Sequence, residues 1–269
     1  MEIVNRFSIN HTTVAKNRTI SYIVVHYTAG VSSKPKTAMN IADYYRTTNT
    51  QVSSDYTVDD QYAVCYNPDI LNRYTWHCGG SKYNTKGGSY YGKCTNANSI
   101  GIEICSTNST GKMQNANDKS YSFTPAVVSN AVELVRQLMR WYNIPAENVI
   151  RHYDVTGKPC PGIIGWNIES GSEAEWQKFK ARLTGGSIDP VTPVKAAAKY
   201  YVQVGAFSRK SNAENFLRDV TLIYPNAFIK QGADKLYHVQ VGAFSDRANA
   251  EKFLRSVQIH FPKAFIKEM

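Results

Sequence analysis

His152, Lys158 and Cys160 fall within one short run, R-H-Y-D-V-T-G-K-P-C-P-G at residues 151–162. Pro159 and Pro161 stiffen the backbone on either side of the cysteine. Gly157 and Gly162 permit sharp turns, so this loop can hold a sulfur in one place. His152 and Cys160 are too far apart for one helical face, and a turn through Gly157 can bring them together. A third donor, His26, stands near the end of the apolar run I-S-Y-I-V-V-H-Y at 20–27. Taken singly, a strand histidine is ordinarily half-buried and hydrogen-bonded, and a lone cysteine is a small core residue. Taken together, two imidazoles and a thiolate form a donor set for Zn2+, which in catalytic sites uses three protein ligands and keeps one position open. Such a set leaves the site with a net positive charge that can lower the pKa of bound water to about 7.

These residues need elements to position them. Residues 20–27 read as a buried strand, 37–46 as a helix, and S-S-D-Y-T-V-D-D at 53–60 with A-V-C-Y at 63–66 as a hairpin. S-I-G-I-E-I at 99–104 reads as another strand. Pro125 after Thr124 opens a helix over 125–142, with Val128, Ala131, Val132, Val135, Leu138 and Met139 on one face. A short strand is expected to run from Val149 and end at His152. The mixture predicts an α/β fold, a mixed central β-sheet flanked by helices. Residues 79–97 form a long polar loop, and a loop of that length usually has a task.

Residues 184–198, T-G-G-S-I-D-P-V-T-P-V-K-A-A-A, break periodicity and read as a linker. The expected domains are therefore 1–183 and 199–269. The second contains a repeat. Y-Y-V-Q-V-G-A-F at 200–207 answers Y-H-V-Q-V-G-A-F at 237–244, N-A-E-N-F-L-R at 212–218 answers N-A-E-K-F-L-R at 249–255, and P-N-A-F-I-K at 225–230 answers P-K-A-F-I-K at 262–267. Each unit reads strand, helix, strand. Two make a small α+β βαββαβ fold, with a four-stranded antiparallel sheet covered by helices on one face.

The net charge of +10 favours anionic partners. No block of five like charges occurs, so no arm of the kind that grips nucleic acid is present and no nucleic-acid partner is expected. No stretch approaches the roughly 18 apolar residues of a membrane span, so no membrane insertion is expected. The N-terminus, M-E-I-V-N-R-F-S-I-N-H, lacks a basic start followed by an apolar run, so synthesis in the cytoplasm without a signal peptide is expected. Cys65, Cys78, Cys94 and Cys105 join Cys160 in an odd set without a C-x-x-C pair; free thiols are expected in a reducing compartment, with pairing of the first four after release outside the cell as the alternative.

I-V-V-H-Y-T-A, N-S-I-G-I-E and R-H-Y-D-V-T-G-K-P-C-P-G resemble the motifs of the type-2 N-acetylmuramoyl-L-alanine amidases, over roughly residues 18–183. The resemblance implies a zinc hydrolase that cuts the amide between N-acetylmuramic acid and L-alanine in peptidoglycan, with His26, His152 and Cys160 as ligands. It implies Lys158 as the residue sharing the developing oxyanion charge with zinc. Glu103, on an inward-facing strand position where burial raises its pKa, is the expected general base; a buried ion-pair partner is the plain alternative. His77 in W-H-C-G-G matches a family position near the cleft, and with Trp76 and Asn98 is an expected substrate-binding residue. Ser54 occupies the place where some phage relatives carry a catalytic tyrosine, Asp55 has no assigned role, and Tyr56 lies one step from promotion. The V-Q-V-G-A-F repeat resembles the SPOR domain, a peptidoglycan-binding module. The expectation is a wall hydrolase acting on glycan strand and stem peptide, released through a phage holin pore or by mother-cell lysis. A peptidoglycan receptor that does not cut is the alternative.

Overall fold

The computed structural model describes residues 1–30, 37–83, 87–112, 114–115, 118–184, 200–221, 224, 227–232, 234–244, 247–258 and 260–268. The chain divides into two compact units, Met1–Gly185 and Gly186–Met269. The expected linker lies, from residue 185 onward, outside the described residues. In chain order the first unit contains β1 (Glu2–Asn5), β2 (Thr12–Val14), β3 (Tyr22–Tyr27), α1 (Thr37–Thr47), β4 (Tyr56–Val58), β5 (Tyr62–Cys65), β6 (Arg73–Thr75), β7 (Ser99–Ile104), α2 (Pro125–Tyr142), β8 (Val149–Arg151), α3 (His152–Thr156) and α4 (Ala174–Thr184). Six strands form one mixed sheet in the order β1-β5-β4-β7-β3-β8, and β2 pairs with β6. The strands that carry chemistry run parallel, β4 with β7, β7 with β3, and β3 with β8, which forms the edge of the sheet.

Alternation along β3 and β7 decides which residues meet. Side chains two apart share a face. Ile23, Val25 and Tyr27 join Ile100, Ile102 and Ile104 in the main core, beneath α2 and α4. Val24 lies on the opposite face with Cys78, Cys94, Ile150 and Val155. His26, two residues on, shares that second face, as do Ser99, Gly101 and Glu103 of β7. The second face is covered at one end by α1, through Ala38, Ala42 and Tyr45 against Val64 and Tyr66. At the other end α3 and the loop before β7 cover it, and a cleft remains between.

α2 begins where Thr124 caps it, its side chain accepting from Val127 N, with Pro125 in the first turn. It ends at Asn143, whose φ of 51° is left-handed. Its fully buried stripe is Val127, Ala131, Val132, Leu134, Val135 and Leu138. Val128 and Met139, expected on the core face, are only partly buried against it. α4 adds Trp176, Phe179 and Leu183 to the same core. His152 does not end a strand: β8 stops at Arg151 and His152 opens α3, because Asp154 turns back to accept from Arg151 N at 2.8 Å. β1, β2, β6 and α4 were not anticipated from the sequence.

The second unit contains β9 (Tyr200–Phe207), α5 (Lys210–Thr221), β10 (Phe228–Gln231), β11 (Tyr237–Phe244), α6 (Arg247–Val257) and β12 (Phe265–Glu268). Its antiparallel sheet runs β10-β11-β9-β12, the βαββαβ arrangement expected from the repeat. Val202, Val239 and Val241 face a core shared with Ala213, Val220 and Val257 of the helices. No helix among the described residues is long and apolar enough to cross a membrane.

All four tryptophans belong to the first unit, so their fluorescence follows that unit alone. Leu138 is wholly buried in the main core, and Leu138→Ala is expected to cost about 2–5 kcal/mol. Tryptophan-detected denaturant unfolding should show the midpoint fall without a change in slope; an unmoved midpoint would contradict the packing described.

Candidate active site

The cleft opens at the C-terminal ends of parallel strands, where open α/β sheets ordinarily place their ligands. His26 on β3 stands in register with Glu103 on β7. His152 starts α3 directly after β8. The chain then turns at Gly157, which has a φ of 82°, and comes back so that Tyr153 N donates to Cys160 O at 3.0 Å. Donor atoms of His26, His152 and Cys160 thereby lie within 4.8 Å of one another, and all three residues are buried. Cys160 Sγ is 3.7 Å from His26 Nδ1, and the two imidazole rings meet edge to face at 4.8 Å.

A buried arginine fixes this loop. Arg151 donates to Asp154 Oδ1 at 2.6 Å, to Asp154 Oδ2 at 2.9 Å, to Glu173 at 2.6 Å and to Trp166 O at 2.8 Å. Its guanidinium also lies over the Trp176 and Tyr153 rings. A buried charge held by several charge-assisted bonds is rigid, because losing any partner leaves the rest uncompensated. Asn167 ties the far side by donating to Pro161 O. Gly162 is needed where it is: a Cβ there would meet Tyr27 Oη at 2.3 Å.

Desolvation sets the protonation states. Burial, then the charges of His152, His77 and Lys158, holds His26 well below the usual imidazole range. Burial, Lys158 and His77 bring His152 down to about 3. Burial and Glu103 push the Cys160 thiol up to about 12. Half-buried Glu103 is pushed up to about 8 by burial, against the pull of Lys158 and His77, and its Oε2 has no hydrogen-bond partner among the described residues. Two neutral imidazoles, a thiol and a carboxyl poised near neutrality thus share one site.

The cleft measures about 530 Å³ and is lined by His26, His77, Trp76, His152, Cys160, Glu103 and Lys158. It also takes in Tyr44, Tyr45, Tyr83 and Asn96, which sequence reasoning did not single out. Lys158 is exposed at its edge. Trp76 is fixed by its Nε1, which donates to Thr13 Oγ1 at 2.9 Å. His77 is buried, with Nδ1 3.1 Å from His26 Nε2 and Nε2 3.2 Å from Ser99 Oγ. Both its ring nitrogens are therefore engaged within the protein.

Asn98 is not among the residues lining the cleft. Its Oδ1 accepts from Thr95 N at 2.8 Å and its Nδ2 donates to Lys93 O at 2.9 Å, so it builds the turn into β7. Asp55 is fully buried and structural: it accepts from Asn67, Thr75 and Gly101 N. Ser54 and Tyr56 are buried, and Tyr56 points into the main core. The loop before β7 lies against α3, with Tyr83 N, Gly88 N and Tyr90 N donating to the carbonyls of Thr156, Tyr153 and Asp154. Gly87 permits this approach, since a Cβ would meet Tyr153 O at 2.6 Å.

Three borderline-soft donors and a carboxylate in one cleft make a site that fits a single metal ion. Residues 16–163 match the family described as N-acetylmuramoyl-L-alanine amidase, and the chain belongs to that family. Residues 196–268 match the SPOR domain. N-acetylmuramoyl-L-alanine amidase CwlH of Bacillus subtilis (strain 168) is 34% identical over 141 residues, 52% of this chain and 47% of that protein. N-acetylmuramoyl-L-alanine amidase XlyA of the same organism is 33% identical over 165 residues, 61% of this chain and 44% of that protein. The chain spans about half the length of the curated relatives it matches. The solved structure of PlyL is 29% identical and covers 70% of this chain and 100% of its own, with a TM-score of 0.49.

The raised Glu103 pKa has a consequence for stability. A carboxyl at about 8 in the fold and 4.5 when free binds more protons folded than unfolded across that interval. Its contribution is complete below pH 4.5 and is lost as pH rises toward 8. Relative to Glu103→Gln, metal-free wild-type protein is expected to lose thermal stability across this window and to level off above it. A pH-independent difference in melting temperature would show that Glu103 is not desolvated as described.

Proposed function

We propose that this chain is a zinc-dependent amidase that cuts the bond between N-acetylmuramic acid and L-alanine in peptidoglycan, with its second unit attaching it to the wall. The observation that carries the reading is the convergence of His26, His152 and Cys160 beside Glu103, whose Oε2 has no hydrogen-bond partner among the described residues, in a chain of the amidase family. Zinc suits two imidazoles and a sulfur, and the set leaves a fourth position for water or substrate. When bound, the ion supplies Lewis acidity toward the scissile carbonyl and activates the attacking water.

The chain's own residues do the rest. His26 and His152 are neutral and need lose no proton to act as donors. Cys160 must lose one, and Glu103 is drawn toward losing its own, so loading the site should release at least one proton near neutral pH. Glu103 accepts the proton of the attacking water and can return it to the departing amine, a task for which a pKa near the working pH is suited. Lys158, at the cleft edge, places positive charge where the carbonyl oxygen becomes an oxyanion. The tyrosines of α1 and Trp76 offer rings against which sugar and peptide can lie. The SPOR unit keeps the hydrolase at high local concentration on its polymer. The site of action is the wall after release from the cell.

Digestion of purified peptidoglycan, followed by mass spectrometry of the products, tests this. Wild-type protein should free L-alanine amino termini, a chelator should abolish the release, and zinc should restore it. Glu103→Gln should lower the rate by about 10²–10⁴-fold, and Lys158→Ala by about 10²–10³-fold. Cys160→Ala should lose both metal and activity while still sedimenting with walls; deletion of residues 185–269 should weaken sedimentation and leave some cutting. Attachment of zinc-loaded protein to walls without any cleaved bond would replace the enzyme by a receptor.

A further inference from the structure

His26 carries one ring nitrogen toward Cys160 and the other toward His77, and the second is held by a chain of hydrogen bonds whose proton positions can be counted. Ser99 Oγ donates to Thr95 O at 2.5 Å. A hydroxyl has one hydrogen, so toward His77 Nε2, 3.2 Å away, Ser99 Oγ can only accept. Nε2 of His77 therefore carries the hydrogen. In a neutral imidazole Nδ1 is then the bare acceptor, and it faces His26 Nε2 at 3.1 Å. His26 Nε2 must supply that hydrogen. This leaves His26 Nδ1, 3.7 Å from Cys160 Sγ, with its lone pair directed at the donor cluster.

We propose that His77 and Ser99 are positioning residues that fix His26 in the Nε2–H tautomer, so that Nδ1 is the atom offered to a metal. The consequence for metal affinity rests on the zinc reading above; the tautomer rests on the protein's own hydrogen bonds. The parts of the chain are each held. His77 N donates to Asn96 Oδ1 at 3.1 Å. Its ring fills space that Gly101 leaves open: a Cβ at 101 would stand 2.5 Å from His77 Cγ. Thr95 is held in turn by Asn98, whose Oδ1 accepts from Thr95 N at 2.8 Å. The turn before β7 is thereby joined to a prospective ligand on β3.

The competing arrangement is a Cys78 thiolate paired with a His77 imidazolium, which Cys78, 3.6 Å from Ser99 Oγ, would favour. Cys78 and Cys94 are enclosed by Val24, Ile150 and Val155, where an ion pair is costly. An imidazolium would also turn Nδ1–H toward His26 and drive its proton onto the cleft-facing nitrogen. That state and an occupied metal site exclude one another.

The test uses the full chain, metal-free, with 15N-labelled histidine, and reads tautomers from long-range proton–nitrogen correlations. Both His26 and His77 should appear as Nε2–H forms. Ser99→Ala and His77→Gln should abolish the single His26 tautomer and weaken zinc binding, measured by competition with a chelating dye, about 10–100-fold. His77→Asn, whose amide oxygen can occupy the Nδ1 acceptor position, should retain the His26 tautomer and bind zinc close to wild type. Tryptophan fluorescence confirms that each variant is folded. A doubly protonated His77, an Nδ1–H His26, or unchanged tautomer and affinity in Ser99→Ala would overturn the proposal. Wild-type protein that shows the expected tautomers but takes no zinc would overturn the zinc reading and leave the tautomer assignment standing.

Discussion

Desolvation ties His26, His152, Cys160 and Glu103 into a single problem. Each would be comfortable in water, and together in a buried cleft each is pushed toward its uncharged form. Lys158, at the exposed edge, favours a thiolate or carboxylate there but does not outweigh the burial. A divalent cation would reverse the balance for all of them at once, taking the imidazole lone pairs, favouring the thiolate and drawing Glu103 toward ionisation. The same burial that keeps the donors neutral would strengthen their hold on a cation, because the interaction is little screened. Neutral donors do not repel one another, which is what allows three of them to be held close before any ion arrives.

Holding them requires rigidity from outside the cluster. Arg151, immediately before His152, is charged, buried and held by Asp154, Glu173 and Trp166 O. Strand alternation then divides the labour. On β3 and β7 the Ile23, Val25, Ile100, Ile102 and Ile104 face builds the core. The other face of β7 carries Ser99, Gly101 and Glu103, which respectively bond His77, make room for its ring and present a carboxylate beside His26. A one-residue slip in the pairing of β7 would bury the serine and carboxylate in hydrocarbon and expose three isoleucines, so the core enforces the register that the site needs.

Much of this was legible in the sequence because it is local. β7 is the six residues read as a strand, α2 the eighteen read as a helix, and the His152–Cys160 loop announces its stiffness through its prolines and glycines. What escaped is non-local or short. β1, β2 and β6 have three or four residues each, too few for a period to show. The start of α3 at His152 depends on a cap from Asp154 that competes with strand pairing. In N-A-N at 96–98 the two asparagines are alike in composition, yet Asn96 reaches the cleft and Asn98 closes the turn. The bond between His77 and His26 crosses 51 residues of sequence. Burial of both ring nitrogens is a property of the assembled face, and no spacing rule reports it.

The repeat in the second unit shows the opposite case, where a local signature and its tertiary reason coincide. In V-Q-V-G-A-F the valines enter the shared core. The glycine is required by packing with its own helix: a Cβ at Gly205 would meet Phe216 at 2.9 Å, and one at Gly242 would meet Phe253 at 2.8 Å. Each half thus carries the same small-for-large exchange between strand and helix. Between β9 and β11 the halves differ at a single position, which faces away from that contact. Tyr201 in the first is replaced by His238 in the second, which bonds Asp234 at 2.9 Å and lies 3.1 Å from Lys267 Nζ. The side chains that close the core recur in both halves, whereas the one difference between β9 and β11 lies on the face away from Val202 and Val239. This is the pattern expected when packing constrains one face of a sheet and leaves the other free to be adapted.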